Sequence, residues 1–252
     1  MSLQKSLALV LRSVNYSESS TVTTLFTQEH GKITGLAKGS RRLKSSFEAA
    51  LDLLTLCRVV FIRKSSEQLD LLTEAKFVNR FHPEKPTSSQ YYSALYIAEL
   101  LNTLTDPYEP MERLFDESLI TLRQLQQHSS IPLTLSRFEL IALRELGLLP
   151  RFDACVDCDK PFDTDRKTTF SIRNAGLVCP DCRNQYQRLM HVSGGAIQAI
   201  RWLLTNPPTS LNRLHLNPSL THEIRLLLTR YLRYPSGQSF KLHRYLNRIS
   251  KP

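Results

Sequence analysis

Two cysteine pairs constrain this chain more than any other feature. Cys155-x-x-Cys158 and Cys179-x-x-Cys182 are separated by twenty residues, at the upper limit of the spacing found in four-cysteine metal sites. Each C-x-x-C turn presents two thiolates one tetrahedral edge apart. Two such knuckles complete a closed shell of four sulfurs at about 2.3 Å from a zinc ion. The spacing predicts a lobe over residues 151–190 folded around one structural Zn2+, with reduced, metal-free cysteines as the alternative. A closed shell leaves no position for water, which argues against a catalytic metal. His82-Pro83-Glu84 is formally the H-x-E of a zinc deaminase. That signature also needs P-C-x-x-C, whereas Val178 precedes Cys179 and Pro180 lies inside the pair. The fifth cysteine, Cys57, sits among Leu56, Val59 and Phe61 and reads as a buried apolar residue.

The full chain of 252 residues is long enough to bury a core without disulfides. Its apolar content of 41% and charged content of 22% exclude a disordered tail, a collagen-like repeat and a coiled-coil rod. The longest apolar run near the start, Leu7-Ala8-Leu9-Val10-Leu11, is closed by Arg12. It is too short for a signal-peptide core or a bilayer span, so a cytoplasmic location is expected.

Hydrophobic period changes along the chain. In residues 1–80 it is two: Leu7, Leu9 and Leu11, then residues 22–26, 33–37 and 54–62, and finally Leu69, Leu71, Ala75 and Phe77 opposite Asp70, Glu74 and Lys76. About five strands in so short a segment fit a small closed β-barrel. The five-stranded OB barrel is the common solution, and an SH3-like barrel stays open on strand count. From Ser88 the spacing becomes helical, with Ser88 and Ser136 as N-cap candidates and Gly147 and Pro150 ending a third helix. Residues 193–205, 218–234 and 239–250 again read as helices. The expected fold is multidomain α+β. An OB-like barrel spans 1–80, the first half of a helical domain 81–150, an inserted zinc lobe 151–190, and the second helical half 191–252.

A formal net charge of +10 points to a polyanionic partner. By segment, residues 1–80 carry +5, 81–150 carry −4, 151–190 carry +1 and 191–252 carry +8. The first basic region runs from Gly31 to Ser45 and contains Lys32, Lys38, Arg41, Arg42 and Lys44 with three glycines. Small residues let the backbone approach a phosphate while the cations neutralise it and release counterions; five single-strand contacts would give a salt slope of about −3.5. A solvated loop with incidental charge is the plainer reading. The region matches neither a Walker loop nor a dinucleotide fingerprint. The second basic region contains Arg225, Arg230, Arg233, Lys241, Arg244 and Arg248 among Tyr231, Tyr234, Phe240 and Tyr245. Arg230, Arg233, Lys241 and Arg244 are its candidate DNA contacts, while most of its aromatics fall on the core stripe of their helices. That apolar stripe is needed inside the helical domain, so no membrane partner is expected.

The order of these pieces resembles the RecO family of recombination mediators. Tyr16-Ser17-Glu18-Ser19, Leu25-Phe26-Thr27, Gly31-Lys32 and Ala37-Lys38-Gly39-Ser40-Arg41-Arg42 are similar to its start. Tyr96-Ile97-Ala98-Glu99-Leu100-Leu101, Leu114-Phe115, Arg137-Phe138-Glu139-Leu140 and Leu146-Gly147-Leu148-Leu149-Pro150 are similar to its helical domain. Cys155, Cys158, Gly176-Leu177-Val178-Cys179 and Cys182 are similar to its zinc lobe. The resemblance covers most of residues 1–190. It departs at Ala175-Gly176, where the family usually has two glycines, and at Asp159, where glycine often follows the second cysteine.

The resemblance implies a non-enzymatic, nucleoid-associated bacterial protein of the RecF pathway. Such a protein binds single- and double-stranded DNA, anneals complementary strands, and with RecR helps load RecA. The acidic C-terminal tail of single-strand-binding protein (SSB) would dock on the helical domain. Arg137 is the candidate for its carboxylates through bidentate guanidinium pairing, and RecF is a further partner. The runner-up is a zinc-ribbon RNA-binding or transcription accessory protein, distinguished by dependence on the 2′-hydroxyl. An enzyme of nucleic-acid metabolism is a third reading. It lacks a carboxylate cluster for magnesium and any convincing H-E-x-x-H or Ser-His-Asp signature.

Overall fold

The computed structural model describes residues 3–42, 45–47, 49–64, 68–127, 130–162, 168–237, 240–243 and 245. Lys44, Arg244 and Arg248 lie outside them, as does most of the 239–250 helix expected from sequence. The chain divides into two compact units, Met1–Gln126 and Gln127–Pro252.

In the first unit, β1 (Leu3–Asn15), β2 (Thr21–Thr27), β3 (Gly31–Ala37), β4 (Thr55–Ile62) and β5 (Asp70–Arg80) close into a barrel of order β1-β2-β3-β5-β4. All pairs are antiparallel except β3 with β5, in register Gly35 to Asp70. Ala8, Val10, Leu25, Ile33, Cys57, Val59, Phe61, Leu72 and Ala75 fill the interior, and Phe47, Ala50 and Leu51 from the β3–β4 connection join them. Burial drives the Cys57 thiol up to about 12, so it is an inert filler, as the sequence suggested.

Two details depart from simple alternation. On β1 it is Ala8 and Val10 that enter the barrel, yet Leu9 and Leu11 are buried as well. On β5, Ala75 faces the interior as expected, but Asp70 and Leu72 are buried as well, while Phe77, and Leu69 just before the strand, are exposed. Register shifts between Val60 and Phe61 and between Leu56 and Cys57 break the period-two pattern there.

Asp70 is fully buried because it has an assigned task. Its carboxyl accepts hydrogen bonds from the Lys64 backbone N–H at 2.9 Å and the Tyr108 hydroxyl at 3.0 Å. Tyr108 lies between α1 (Ser88–Leu104) and α2 (Glu112–Gln126), and its backbone N–H donates to the Lys32 carbonyl at 3.0 Å. Gly31 is obligatory beside this contact: its φ is +66°, and an added Cβ would lie 2.0 Å from the Glu109 carbonyl oxygen.

Helix α1 is N-capped not by Ser88, as the sequence suggested, but by Thr87 one residue earlier, in a capping box with Gln90. Its buried face includes Tyr96, Ile97, Leu100 and Leu101. Phe115 of α2 meets Phe26 of β2 at 6.0 Å between ring centroids.

The second unit begins with α3 (Ile131–Glu145), N-capped at Ser130. Ser136 is instead inside the helix, donating its hydroxyl to the Pro132 carbonyl at 2.8 Å. Gly147, at φ +69°, terminates the helix. Strands β6 (Thr168–Ser171), β7 (Gly176–Val178) and β8 (Met190–Val192) form an antiparallel sheet of order β7-β6-β8. Helices α4 (Gly194–Thr205) and α5 (Pro218–Ser236) then pack on α3 and on each other. The lobe is thus inserted among helices, with α3 before it and α4 and α5 after it. Helices α1 and α2 belong to the barrel unit.

Candidate nucleic-acid interface and metal centre

The second unit positions the four cysteines by two different turns. The first knuckle is closed by Cys155 N–H donating to the Lys160 carbonyl at 2.9 Å and Asp159 N–H to the Cys155 carbonyl at 3.2 Å. The second follows directly from β7, with Arg183 N–H donating to the Cys179 carbonyl at 3.0 Å. All four sulfurs lie within 4.8 Å of one another. The Cys158 and Cys179 sulfurs are 3.7 Å apart, close to the edge of about 3.8 Å of a tetrahedron with 2.3 Å metal–sulfur bonds.

Burial alone would push the Cys155 thiol up, but backbone N–H groups of Cys158, Cys179 and Asp157 outweigh it and bring the thiol down to about 7. The Cys182 thiol is raised, first by its hydrogen bond with Asp157, then by burial and by Cys179 and Cys158. Four thiolates gathered within this distance repel one another, and a divalent cation among them offsets that charge. The four cysteines can hold a metal ion. Outside the sulfurs, Lys160 and Asp181 join the two knuckles at 2.8 Å, a link that cysteine spacing does not reveal.

Both departures from the family pattern occupy left-handed backbone. Asp159 has φ 58° and Ala175 has φ 52°. Aspartate tolerates this region better than most residues, and the Asp159 carboxylate is paired with Arg151. Ala175 has no such compensation.

In the barrel unit, the β1–β2 hairpin and the turn after β3 form one surface. Arg41 N–H donates to the Ser19 carbonyl at 3.1 Å, Arg41 Nη1 to the Ser17 carbonyl at 3.2 Å, and the Ser40 and Thr21 hydroxyls meet at 2.8 Å. Gly39, at φ +72°, makes the turn, and Arg42 N–H closes it on the Gly39 carbonyl at 3.1 Å. Lys38, Arg41 and Arg42 are all exposed on it.

Lys32 does not belong with them. Its ammonium donates to the Asn102 carbonyl at 2.7 Å and to the Thr105 carbonyl, so it satisfies the C-terminal end of α1. Burial lowers its pKa, partly opposed by Asp106. In the second unit, Arg230, Arg233 and Lys241 are exposed, and Arg230 Nη1 lies 3.5 Å from the Met190 sulfur. Arg225 instead pairs with Glu139 inside the helical core. Arg137, expected at the surface, is only 6% exposed on α3. The helix packs that position inward, which the Arg-Phe-Glu-Leu pattern could not reveal because its two charged residues lie within an otherwise apolar stretch.

A closed five-stranded barrel carrying a cationic loop surface, followed by helices and a four-cysteine lobe, defines a class of OB-like barrel proteins with a metal-binding accessory lobe. The family models described as the N-terminal and C-terminal domains of recombination protein O match residues 1–81 and 87–244. Proteins named DNA repair protein RecO are similar along the chain. The one from Rhodopirellula baltica is 37% identical over 84% of this chain and 80% of its own. That from Myxococcus xanthus is 34% identical over 93% of each chain. That from Anaeromyxobacter dehalogenans is 30% identical over 99% of this chain and 98% of its own. The chain belongs to the RecO family of DNA repair proteins. Among the described residues, no helix is long and apolar enough to cross a membrane.

Proposed function

We propose that this chain is a non-enzymatic recombination mediator that binds single- and double-stranded DNA, anneals complementary strands, and assists RecA loading together with RecR. The observation that carries the reading is the pair of barrel loops tied together by Arg41 and Ser40, with Lys38, Arg41 and Arg42 exposed on them. Backbone phosphates are gripped there without sequence readout, as in other OB grooves. Arg230, Arg233 and Lys241 supply a second cationic surface in the other unit, fitting a protein that must hold more than one strand. Annealing requires charge neutralisation rather than bond chemistry, so no catalytic residue is assigned.

The metal is Zn2+ and its role is structural: four thiolates satisfy its tetrahedral shell and exclude substrate. RecR, the SSB tail and RecF are the protein partners, and the chain acts in the bacterial cytoplasm at the nucleoid. The test is annealing of complementary oligonucleotides by the full chain at low salt, alongside binding to single-stranded DNA, duplex DNA and RNA. Accelerated annealing with binding to both DNA forms is expected. Failure to bind DNA, or a preference for RNA that depends on the 2′-hydroxyl, overturns the proposal.

A further inference from the structure

We infer that Tyr16 is a base-stacking platform that gives the barrel loops their affinity for unpaired strands, a site that rests on the reading of this chain as a single-strand binder. Tyr16 is 67% exposed, more than any other exposed large hydrophobic side chain among the described residues. A ring left in water gains nothing for folding. The backbone that carries it is nonetheless firmly held.

Tyr16 N–H donates to the Ser20 carbonyl at 2.9 Å, Ser17 N–H to the same carbonyl at 3.2 Å, and Ser20 N–H to the Ser17 hydroxyl at 3.2 Å. The Arg41 guanidinium binds the carbonyl of Ser17, the residue next to Tyr16. That contact uses one of its five N–H donors, leaving others for a phosphate. A planar aromatic surface and a phosphate-binding fork are therefore fixed to adjacent points of one loop. This is the combination that holds single strands, a ring for the base and a cation for the backbone. Glu18 is the acidic group on the same tip, so the contact expected of Tyr16 is with the uncharged face of a base. In a duplex those faces are covered by neighbouring base pairs. Tyr16 therefore discriminates between DNA forms, whereas Lys38, Arg41 and Arg42 serve both.

The experiment compares wild type, Tyr16→Ala and Tyr16→Phe on single-stranded DNA, an abasic strand of equal length, and duplex DNA, each across a salt series. Tyr16→Ala is expected to weaken single-strand binding by about five- to one-hundred-fold, the effect of one stacked base. Tyr16→Phe should remain near wild type. Duplex and abasic binding should not change, and neither should the salt slope, because stacking releases no counterions. A Tyr16→Ala protein within twofold of wild type on single strands overturns the inference. So does an equal loss on duplex, or a shallower salt slope, either of which would mean that the ring only positions the cations. A wild-type protein that binds no single strand would instead overturn the functional reading itself.

Discussion

Replacing Arg41 and Arg42 together by alanine separates the share of DNA affinity carried by the barrel loops from that of every other surface. Counting cations in the sequence gives five contacts and a slope of about −3.5 in log affinity against log salt for a single strand. The structure revises the count. Lys32 is bonded to helix carbonyls and drops out, and the exposed Lys38, Arg41 and Arg42 contribute about −2.1 of the slope.

Removing two of the three should make the slope shallower by about 1.4, so that a rise from 50 to 200 mM salt weakens the variant roughly sevenfold less than wild type. The assay is fluorescence anisotropy with a labelled oligonucleotide at four or more salt concentrations, with thermal unfolding as the folding control. Lys32→Ala supplies the opposing arm. It should leave the slope unchanged while lowering the melting temperature, because two carbonyls at the end of α1 lose their donor. An unchanged slope for Arg41→Ala/Arg42→Ala would remove the loops from the DNA path. A slope made shallower by about 0.7 in Lys32→Ala would show that its ammonium leaves the helix for a phosphate.

Four further outcomes follow from the second unit. Elemental analysis should find one zinc per chain, lost in Cys179→Ser; because structural zinc contributes about 10–16 kcal/mol in finger peptides, a variant that kept both metal and melting temperature would refute a structural site. Arg225→Met should cost about 3–5 kcal/mol by leaving Glu139 buried without its main counter-charge, whereas Arg225→Met/Glu139→Met should recover most of the loss in denaturant titration. Burial, with Arg225 and Arg233 nearby, lowers the His243 pKa to about 3. The unfolded chain therefore takes up its proton near pH 6.5 while the folded chain resists, and stability is lost as pH falls from 6.5 towards 3. Between pH 6.5 and 5 wild type should lose about 1.5–2 kcal/mol more than His243→Gln, and parallel pH profiles would refute the burial. Ala175→Gly should stabilise the lobe by about 1 kcal/mol, since glycine adopts φ 52° without a Cβ clash; a destabilised variant would refute the strain.

Chemistry that depends on spacing along the chain was legible from sequence, because the chain itself enforces it. The C-x-x-C pairs could only bring thiolates together, and the cysteine sulfurs do converge. Period-two runs gave five strands and helical spacing gave the helices, since each period fixes which side chains share a face. Where the chain bulges, that logic fails. On β5, the register shift opposite Val60 and Phe61 puts Asp70 and Leu72 on the same buried face as Ala75, and nothing in an alternating pattern marks where a bulge falls. Helix N-caps were misplaced by one residue at Ser88 and by six at Ser136, because serine caps an end or bonds back within a helix depending on what surrounds it.

The sequence by itself determined the four-cysteine cluster, the barrel's strands and the two basic regions. What each charge does was decided only by the tertiary structure. Lys32 and Arg41 lie nine residues apart in one basic stretch. One is turned onto the carbonyl end of α1, while the other ties the hairpin and keeps donors for solvent or phosphate. Arg137 and Arg225 are withdrawn into a helical core that Arg230 and Arg233 border from outside. The physical reason is that a cation's role depends on which acceptors surround it, and those acceptors come from segments tens of residues away. Spacing constrains neighbours along the chain; only folding sets neighbours across it.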